Sequence, residues 1–93
     1  MKRLLIVEDD LSLASILGRR LTRHGFECRL THDASDALLV AREFRPSHIL
    51  LDMKLAEANG LGLIVPLRNL LPKVTMVLLT GYASIATAVE AIR

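Results

Sequence analysis

The stretch LLIVEDD, residues 4 to 10, joins four consecutive apolar residues to three consecutive carboxylates. A short apolar run without polar alternation is typical of a β-strand that is covered on both faces. Three adjacent negative charges, in contrast, need water or a cation around them. The stretch therefore predicts a core strand that ends in acidic residues, and the other strands of the sheet are expected to pack around it.

Strand-like and helix-like segments alternate along the rest of the chain. Further strands are predicted at residues 26–30, 48–52 and 74–79. A helix is predicted after each strand, with one of these residues at its start: Asp10 or Ser12, Asp33 or Ser35, Gly62 or Leu63, and Ser84. Asn59-Gly60 indicates a turn. The order βαβαβαβα with short connections predicts an open parallel sheet with right-handed crossovers.

The first helix and the second strand carry further predictions. Four apolar side chains of the helix recur at helical spacing and are expected to face the core: Leu13, Ile16, Leu17 and Leu21. Gly25 follows a basic last turn and is expected to end the helix in a left-handed conformation. In the second strand apolar and charged residues alternate, so this strand is expected to lie half-exposed at an edge of the sheet.

The composition indicates a small packed domain without a membrane segment. The chain has 93 residues, 52% of them hydrophobic, and a formal net charge of +2, which is too small to favour direct nucleic-acid binding. No apolar stretch approaches the ~18 residues of a membrane span, and the N-terminal apolar run is too short for a signal peptide. Cys28 is the single cysteine, which excludes an internal disulfide and is consistent with a reducing cytoplasm. We therefore expect a cytoplasmic protein.

Polar residues end three of the predicted strands. Ligands of open parallel sheets bind beyond the carboxyl ends of the strands. The first strand brings Glu8, Asp9 and Asp10 to this edge, the third brings Asp52, and the fourth brings Thr80. Carboxylates that lie close together need a cation to remain ionised, and hard oxygen ligands favour Mg²⁺. The sequence therefore predicts a magnesium site at this edge.

Each of these residues also has a simpler interpretation. Asp9 or Asp10 alone is typical of a helix N-cap. Asp52 could be a loop-facing acid at the end of its strand, and Thr80 could cap the helix that follows. The three histidines have no spacing typical of metal ligands, and we expect none of them to bind metal: His24, His32 and His48.

Together these segments resemble the receiver domain of two-component response regulators. The matching segments are LLIVEDD at 4–10, ILLDMKL at 49–55, NG at 59–60 and VLLTGYASIATAVEAIR at 77–93. The last segment, with the spacing from Asp52 to Thr80, is most similar to the RegA/PrrA/ActR group of redox-responsive regulators. The resemblance implies a CheY-like, flavodoxin-like α/β fold: an open parallel sheet with helices on both faces and the strand order 2-1-3-4 for the strands present here.

The resemblance also implies roles for the residues at the strand ends. Asp52 would be the phosphoacceptor, attacking the phosphohistidine of a sensor histidine kinase to form an acyl phosphate. Asp9, Asp52 and the backbone carbonyl of Lys54 would hold Mg²⁺, with Glu8 acting through water. Thr80 would hydrogen-bond a phosphoryl oxygen and report phosphorylation to the segment beyond it.

Two departures from the family pattern affect these expectations. Ala56 stands where receivers often have a proline, which loosens a turn but should leave the chemistry intact. The sequence ends at Arg93, before the positions of the family's fifth strand, phosphoryl-pairing lysine, aromatic switch residue and fifth helix. None of the three lysines occupies that position: Lys2, Lys54 and Lys73. We therefore expect residues 1–93 to form a receiver domain that is incomplete at its C-terminus and is phosphorylated weakly or not at all in this form.

The same departures lead to predictions about partners. In full-length relatives an output domain with a helix-turn-helix follows, so we expect any contact with DNA to be made by such a domain and not by residues 1–93. Without a fifth strand and helix, the fourth strand and fourth helix would be left uncovered. We expect the chain to associate with itself through that surface.

Three other functions compete with a phosphoacceptor signalling module. A haloacid-dehalogenase-like phosphatase would need a second aspartate two residues after its nucleophile, where Lys54 stands. A dinucleotide-binding domain would need a glycine-rich loop after the first strand, where three acids stand. An incomplete receiver that acts only as an interaction or dimerisation module, without phosphotransfer, is the main alternative. The sequence therefore predicts a signalling domain and not an enzyme.

Overall fold

A computed structural model describes residues 2–57 and 62–79. Its elements, in chain order, are β1 (Lys2–Val7), α1 (Leu11–Arg23), β2 (Phe26–Thr31), α2 (Ala34–Phe44), β3 (His48–Asp52), α3 (Met53–Glu57), α4 (Ile64–Leu70) and β4 (Thr75–Leu79). The four strands form a parallel sheet in the order β2-β1-β3-β4. The predicted open parallel α/β sheet and its strand order are confirmed.

Three predictions lie outside the described residues: the turn at Asn59-Gly60, the position of Thr80 at the end of the fourth strand, and the helix from Ser84. Within the described ranges, no helix is long and apolar enough to cross a membrane.

β1 lies inside the sheet and is covered on both faces. It pairs with β2 on one side and with β3 on the other. Leu4 and Ile6 belong to one core cluster, Leu5 and Val7 belong to another, and all four side chains are buried. Because alternate residues of a strand point to opposite faces of a sheet, a strand between two layers of helices must be apolar at every position.

The two faces of the sheet have cores of different size. The larger core lies under α2 and α4 and joins Ala37, Ala41 and Leu67 to residues of β1, β3 and β4. The smaller core lies under α1, and its buried members are Leu4, Ile6, Ala14 and Leu50. Leu17 and Leu21 of α1 pack against this smaller core and are half-buried, as predicted.

The rest of the buried face of α1 differs from the predicted one. Ala14 is buried, whereas Leu13 and Ile16 are 38% and 47% exposed. Gly18 is also buried, and a Cβ added to it would lie 3.1 Å from Cδ2 of Leu30. Gly18 therefore lets α1 approach Leu30 of β2 closely, and Ala14 packs against residues of β1 and β3. Hydrophobic periodicity does not detect such a contact, because it gives most weight to large side chains.

Aspartates begin the first two helices. Oδ1 of Asp10 accepts a hydrogen bond from the N–H of Leu13 at the start of α1 (3.0 Å). Oδ1 of Asp33 accepts one from the N–H of Asp36 at the start of α2 (2.8 Å). Of the alternatives that the sequence left open, the aspartates and not the serines are therefore the N-caps. Gly25 follows His24, the C-cap residue of α1, and has a φ of 94°, as expected of a residue that ends a helix.

The chain between β3 and β4 contains one unexpected element. The short helix α3 begins directly after Asp52, and the sequence pattern does not predict it because five residues are too few to show helical periodicity. α4 begins at Ile64, close to its predicted start. Pro66 falls in its first turn, where a missing N–H leaves no intrahelical hydrogen bond unmade.

Candidate metal centre

Three carboxylates meet where β1 and β3 end side by side. The last residues of the paired strands include Val7 opposite Leu51, so Glu8 and Asp9 emerge from the sheet next to Asp52. One carboxylate oxygen from each of these three acids lies within 4.8 Å of the other two. The predicted convergence of acids from neighbouring strands is therefore present in the structure.

Glu8 is the buried member of this acidic cluster, which we define as Glu8, Asp9 and Asp52. Its side chain is 5% exposed, and its Oε1 accepts a hydrogen bond from the N–H of Asp10 (3.0 Å). Burial raises the pKa of Glu8 above its ordinary value, and the neighbouring carboxyl groups of Asp9 and Asp52 raise it further. The Asp10 N–H acts in the opposite direction without cancelling the effect. Burial is the largest cause of the raised pKa, and the smaller contribution of the neighbouring carboxyl groups is the part that a bound cation would offset.

Asp52 is half-buried and lies at the junction of β3 and α3. The backbone N–H of Lys54 donates to its Oδ1 at 3.3 Å, which orients the carboxylate. The side chain of Lys54 is exposed, and the ligand role of its backbone carbonyl stays a prediction. Leu79, the last residue of β4, pairs with Asp52 across the sheet. The role of Thr80 also stays a prediction, since this residue lies outside the described ranges.

Asp10 does not join the acidic cluster. Its carboxylate is exposed and is engaged as the N-cap of α1, whereas the carboxylate of Asp9 belongs to the cluster. The structure therefore decides between the two interpretations of these adjacent aspartates: Asp9 is the candidate ligand, and Asp10 is the cap.

Two residues at the end of β2 support the cluster, and neither of them is predicted from the sequence to belong to the site. The carbonyl of Thr31 accepts a hydrogen bond from the N–H of Glu8 (3.0 Å), and its buried hydroxyl donates to the carbonyl of Ile6 (3.0 Å). Nδ1 of His32 lies 2.9 Å from the carbonyl oxygen of Glu8. The sequence feature that could have identified them is their position at the carboxyl end of a strand adjacent to β1, because the carboxyl ends of parallel strands lie at one edge of the sheet.

The cluster fits a hard divalent cation. Carboxylate oxygens are the preferred protein ligands of Mg²⁺, which takes one or two carboxylates and keeps several waters. The close approach of the three acids favours a bound cation, because positive charge would offset the repulsion between their carboxylates. In addition, Asp52 is accessible enough to act as a nucleophile toward an electrophilic phosphorus atom.

Comparison with known proteins gives consistent matches over nearly the whole chain. Residues 4–93 match the family described as the response regulator receiver domain. The chain is 33% identical over 92 residues to the photosynthetic apparatus regulatory protein RegA of Rhodobacter capsulatus, a match that covers 99% of this chain and 50% of RegA. It is 34% identical over 92 residues to the acid tolerance regulatory protein ActR of Rhizobium meliloti (strain 1021), covering 99% of this chain and 47% of ActR.

A solved structure is similar as well. It is the crystal structure of a response regulator protein from Burkholderia pseudomallei with a phosphorylated aspartic acid, calcium ion and citrate. The two chains are 40% identical with a TM-score of 0.81, and the match covers 99% of this chain and 54% of the other. The chain thus spans about half the length of the curated relatives and of the solved structure that it matches.

Proposed function

The chain belongs to the response regulator receiver domain family, in its RegA/ActR group, and on this basis we propose that Asp52 accepts a phosphoryl group from a sensor histidine kinase. One observation carries the proposal: an oxygen of Asp52 lies within 4.8 Å of oxygens from Glu8 and Asp9. A lone acid at a strand end needs no such neighbours, whereas a phosphoacceptor needs a site that can compensate the charge of an incoming phosphoryl group.

In the proposed reaction, a carboxylate oxygen of Asp52 attacks the phosphorus atom of the kinase phosphohistidine. An O–P bond forms, the P–N bond to the imidazole breaks, and the imidazole nitrogen keeps the bonding electron pair. Asp52 suits this role because its side chain is half-buried and can still be reached by a donor. The hydrogen bond from the Lys54 N–H to Oδ1 holds the carboxylate in one orientation before the donor arrives.

We propose that Asp9, Asp52 and the backbone carbonyl of Lys54 hold Mg²⁺, and that Glu8 acts through water. When bound, Mg²⁺ supplies positive charge that neutralises part of the charge on the transferring phosphoryl group. Glu8 suits a role through water because its side chain is buried and its Oε1 already accepts a hydrogen bond from the Asp10 N–H. The calcium ion and phosphorylated aspartic acid of the Burkholderia pseudomallei protein support these assignments.

Thr80 completes the proposed phosphoryl site. It follows Leu79, which pairs with Asp52 across the sheet, so its hydroxyl is proposed to donate to a phosphoryl oxygen and to report phosphorylation to the chain beyond it. The domain acts in this proposal as a phosphoacceptor that works in the cytoplasm and not as an enzyme in its own right.

The output of the domain is proposed to be transcriptional. RegA and ActR are regulatory proteins, and this chain matches about half of each of them. Contact with DNA is therefore assigned to an output domain and not to residues 1–93. Self-association through β4 and the segment that follows it stays a prediction, to be tested by sedimentation.

The proposed acyl phosphate can be tested chemically. The protein, at the length at which the cell makes it, is incubated with acetyl phosphate as phosphoryl donor and analysed by mass spectrometry. We expect a phosphoryl adduct that requires Mg²⁺, is prevented by EDTA, and is removed by hydroxylamine as an acyl phosphate is. An adduct that survives hydroxylamine, or no adduct from either acetyl phosphate or a phosphorylated histidine kinase, would contradict the proposal.

A further inference from the structure

Both polar groups of the Glu8 backbone are hydrogen-bonded to two consecutive residues at the end of β2: Thr31, the last residue of the strand, and His32, which follows it. Its N–H donates to the carbonyl of Thr31 at 3.0 Å, and its carbonyl oxygen lies 2.9 Å from Nδ1 of His32. Thr31 is itself fixed, because it is buried and its hydroxyl donates to the carbonyl of Ile6. The peptide groups on both sides of Glu8 are therefore held in place by hydrogen bonds to the end of the neighbouring strand.

The chemistry of this contact determines the proton position on His32. A backbone carbonyl can only accept a hydrogen bond, so Nδ1 must carry the proton that it donates to the Glu8 oxygen. The imidazole is half-buried and lies one residue before Asp33, which caps α2. The donor is thus anchored on both sides, by β2 and by the start of α2.

The imidazole donates the hydrogen bond that the backbone of β2 would donate if the β1–β2 ladder were one pair longer. The last residue pair of the β1–β2 ladder is Val7 with Thr31. In a parallel ladder that continued, the backbone N–H two residues after Thr31 would donate to the carbonyl of Glu8. The chain instead turns into α2, and the His32 side chain donates to this carbonyl. This hydrogen bond adds one more link between β1 and the end of β2, at the peptide that leads into the acidic cluster.

From this geometry we propose that His32 is a positioning residue for the metal centre. Its Nδ1–H fixes the carbonyl of Glu8, and because the peptide bond is planar, this also fixes the direction in which the chain enters Asp9. His32 therefore holds the Asp9 carboxylate toward Asp52, although it binds no metal itself. The inference rests on the proposed function, since it assigns His32 a role in cation binding by the acidic cluster.

The test is the equilibrium affinity for Mg²⁺, followed by NMR titration of the amides near Asp9 and Asp52. His32→Ala removes the donor and is expected to weaken binding about tenfold, as loss of an outer-shell partner of a metal ligand commonly does. His32→Asn places an amide N–H at the position of Nδ1 and is expected to restore most of the affinity. His24→Ala, at the exposed far end of α1, is the matched control and is expected to bind like the wild type.

The outcomes separate this inference from the proposed function. If the wild type binds Mg²⁺ and His32→Ala binds it equally well, the positioning role is wrong and the proposed function stands. If His32→Asn binds as weakly as His32→Ala, the imidazole acts by packing and not by donation, which also overturns the proposal. If the wild type does not bind Mg²⁺, both the metal assignment and the inference fail.

A second measurement needs no metal. Nitrogen-15 NMR of the imidazole in the metal-free protein reports which ring nitrogen carries the proton. We expect the neutral His32 ring to be protonated at Nδ1, whereas His24 serves as the reference for an exposed ring. Protonation of the neutral ring at Nε2 would leave Nδ1 without a proton to donate and would overturn the proposal.

Discussion

Asp9 and Asp10 are joined by one peptide bond, yet they belong to different regions of the molecule. Asp9 lies in the acidic cluster with Glu8 and Asp52, whereas Asp10 caps α1 in the same way as Asp33 caps α2. At the caps a carboxylate faces backbone N–H groups, which favour its charge. In the cluster carboxylates face one another, which disfavours their charge unless a cation is present.

The pKa values of the two regions shift in opposite directions. The N–H of Asp36 and the hydroxyl of Ser35 lower the pKa of Asp33 below its ordinary value. Burial and the nearby acids raise the pKa of Glu8 above its ordinary value. The role of a carboxylate at these strand ends therefore depends on its burial and on the groups that its oxygens face, since both regions have an acidic residue shortly after a strand.

The largest effect is expected at Asp52. Asp52→Asn replaces the nucleophilic carboxylate by an amide and is expected to lower phosphoryl uptake by at least about a thousandfold. Asp10→Asn is the matched control, because asparagine is also a good N-cap and the residue lies outside the cluster. Phosphopeptide mapping after incubation with a phosphoryl donor measures both. Equal labelling of the two variants would contradict the assignment of Asp52 as the phosphoacceptor.

The next effect concerns Mg²⁺ affinity. Asp9→Asn removes a charged candidate ligand, and we expect a larger loss than the roughly tenfold to hundredfold that follows removal of an outer-shell partner. Asp33→Asn makes the same chemical change at a helix cap and is expected to leave the affinity unchanged. NMR or calorimetric titration gives the two affinities. A similar loss in both variants would mean that net charge alone, and not the geometry of the cluster, attracts the cation.

A smaller effect is expected on stability. Asp10→Ala leaves the N–H of Leu13 without its side-chain partner and is expected to lower the free energy of unfolding by about 1 kcal/mol. Ser12→Ala, within the first turn of α1, is the control, with an expected change within about 0.5 kcal/mol. Urea denaturation of the metal-free protein compares them. The assignment of Asp10 as the cap would be wrong if the serine variant lost more stability than the aspartate variant.

The smallest effect is the pH dependence of stability, which is expected to have opposite signs in the two regions. The folded state raises the pKa of Glu8, so the stability linked to Glu8 is fully present below the ordinary pKa of 4.5 and is lost as the pH rises through the raised value. The folded state lowers the pKa of Asp33, so its stabilisation is present above the ordinary pKa of 3.8 and is lost as the pH falls through the lowered value.

Two variants separate the contributions of Glu8 and Asp33 to the pH dependence of stability in the metal-free protein. Glu8→Gln should flatten the decline of stability above pH 4.5, and Asp33→Asn should flatten the decline below pH 3.8. Denaturation across this pH range measures both. If Glu8→Gln left the upper slope unchanged, the raised pKa of Glu8 would not be a property of the folded protein.

The sheet and its acidic edge could be predicted from the sequence because they follow from local patterns. An uninterrupted apolar run such as residues 4–7 indicates a strand that is covered on both faces. The alternation of such runs with amphipathic helical segments gives the order of strands and helices. Once the sheet is parallel, all strand ends lie at one edge. That rule brings Glu8, Asp9 and Asp52 together without knowledge of any distance, and the structure places their oxygens within 4.8 Å of one another.

The rest was decided by tertiary structure, because it depends on contacts between residues far apart in the chain. Which of two adjacent aspartates caps α1 depends on the direction in which the chain leaves β1. The buried face of α1 follows from the close approach of Gly18 to Leu30, which overrides its apolar periodicity. The contact of His32 with Glu8 joins residues 24 positions apart, and no spacing pattern contains it. Periodicity and strand ends are properties of the chain itself, whereas these side chains take their roles from neighbours that only the folded sheet supplies.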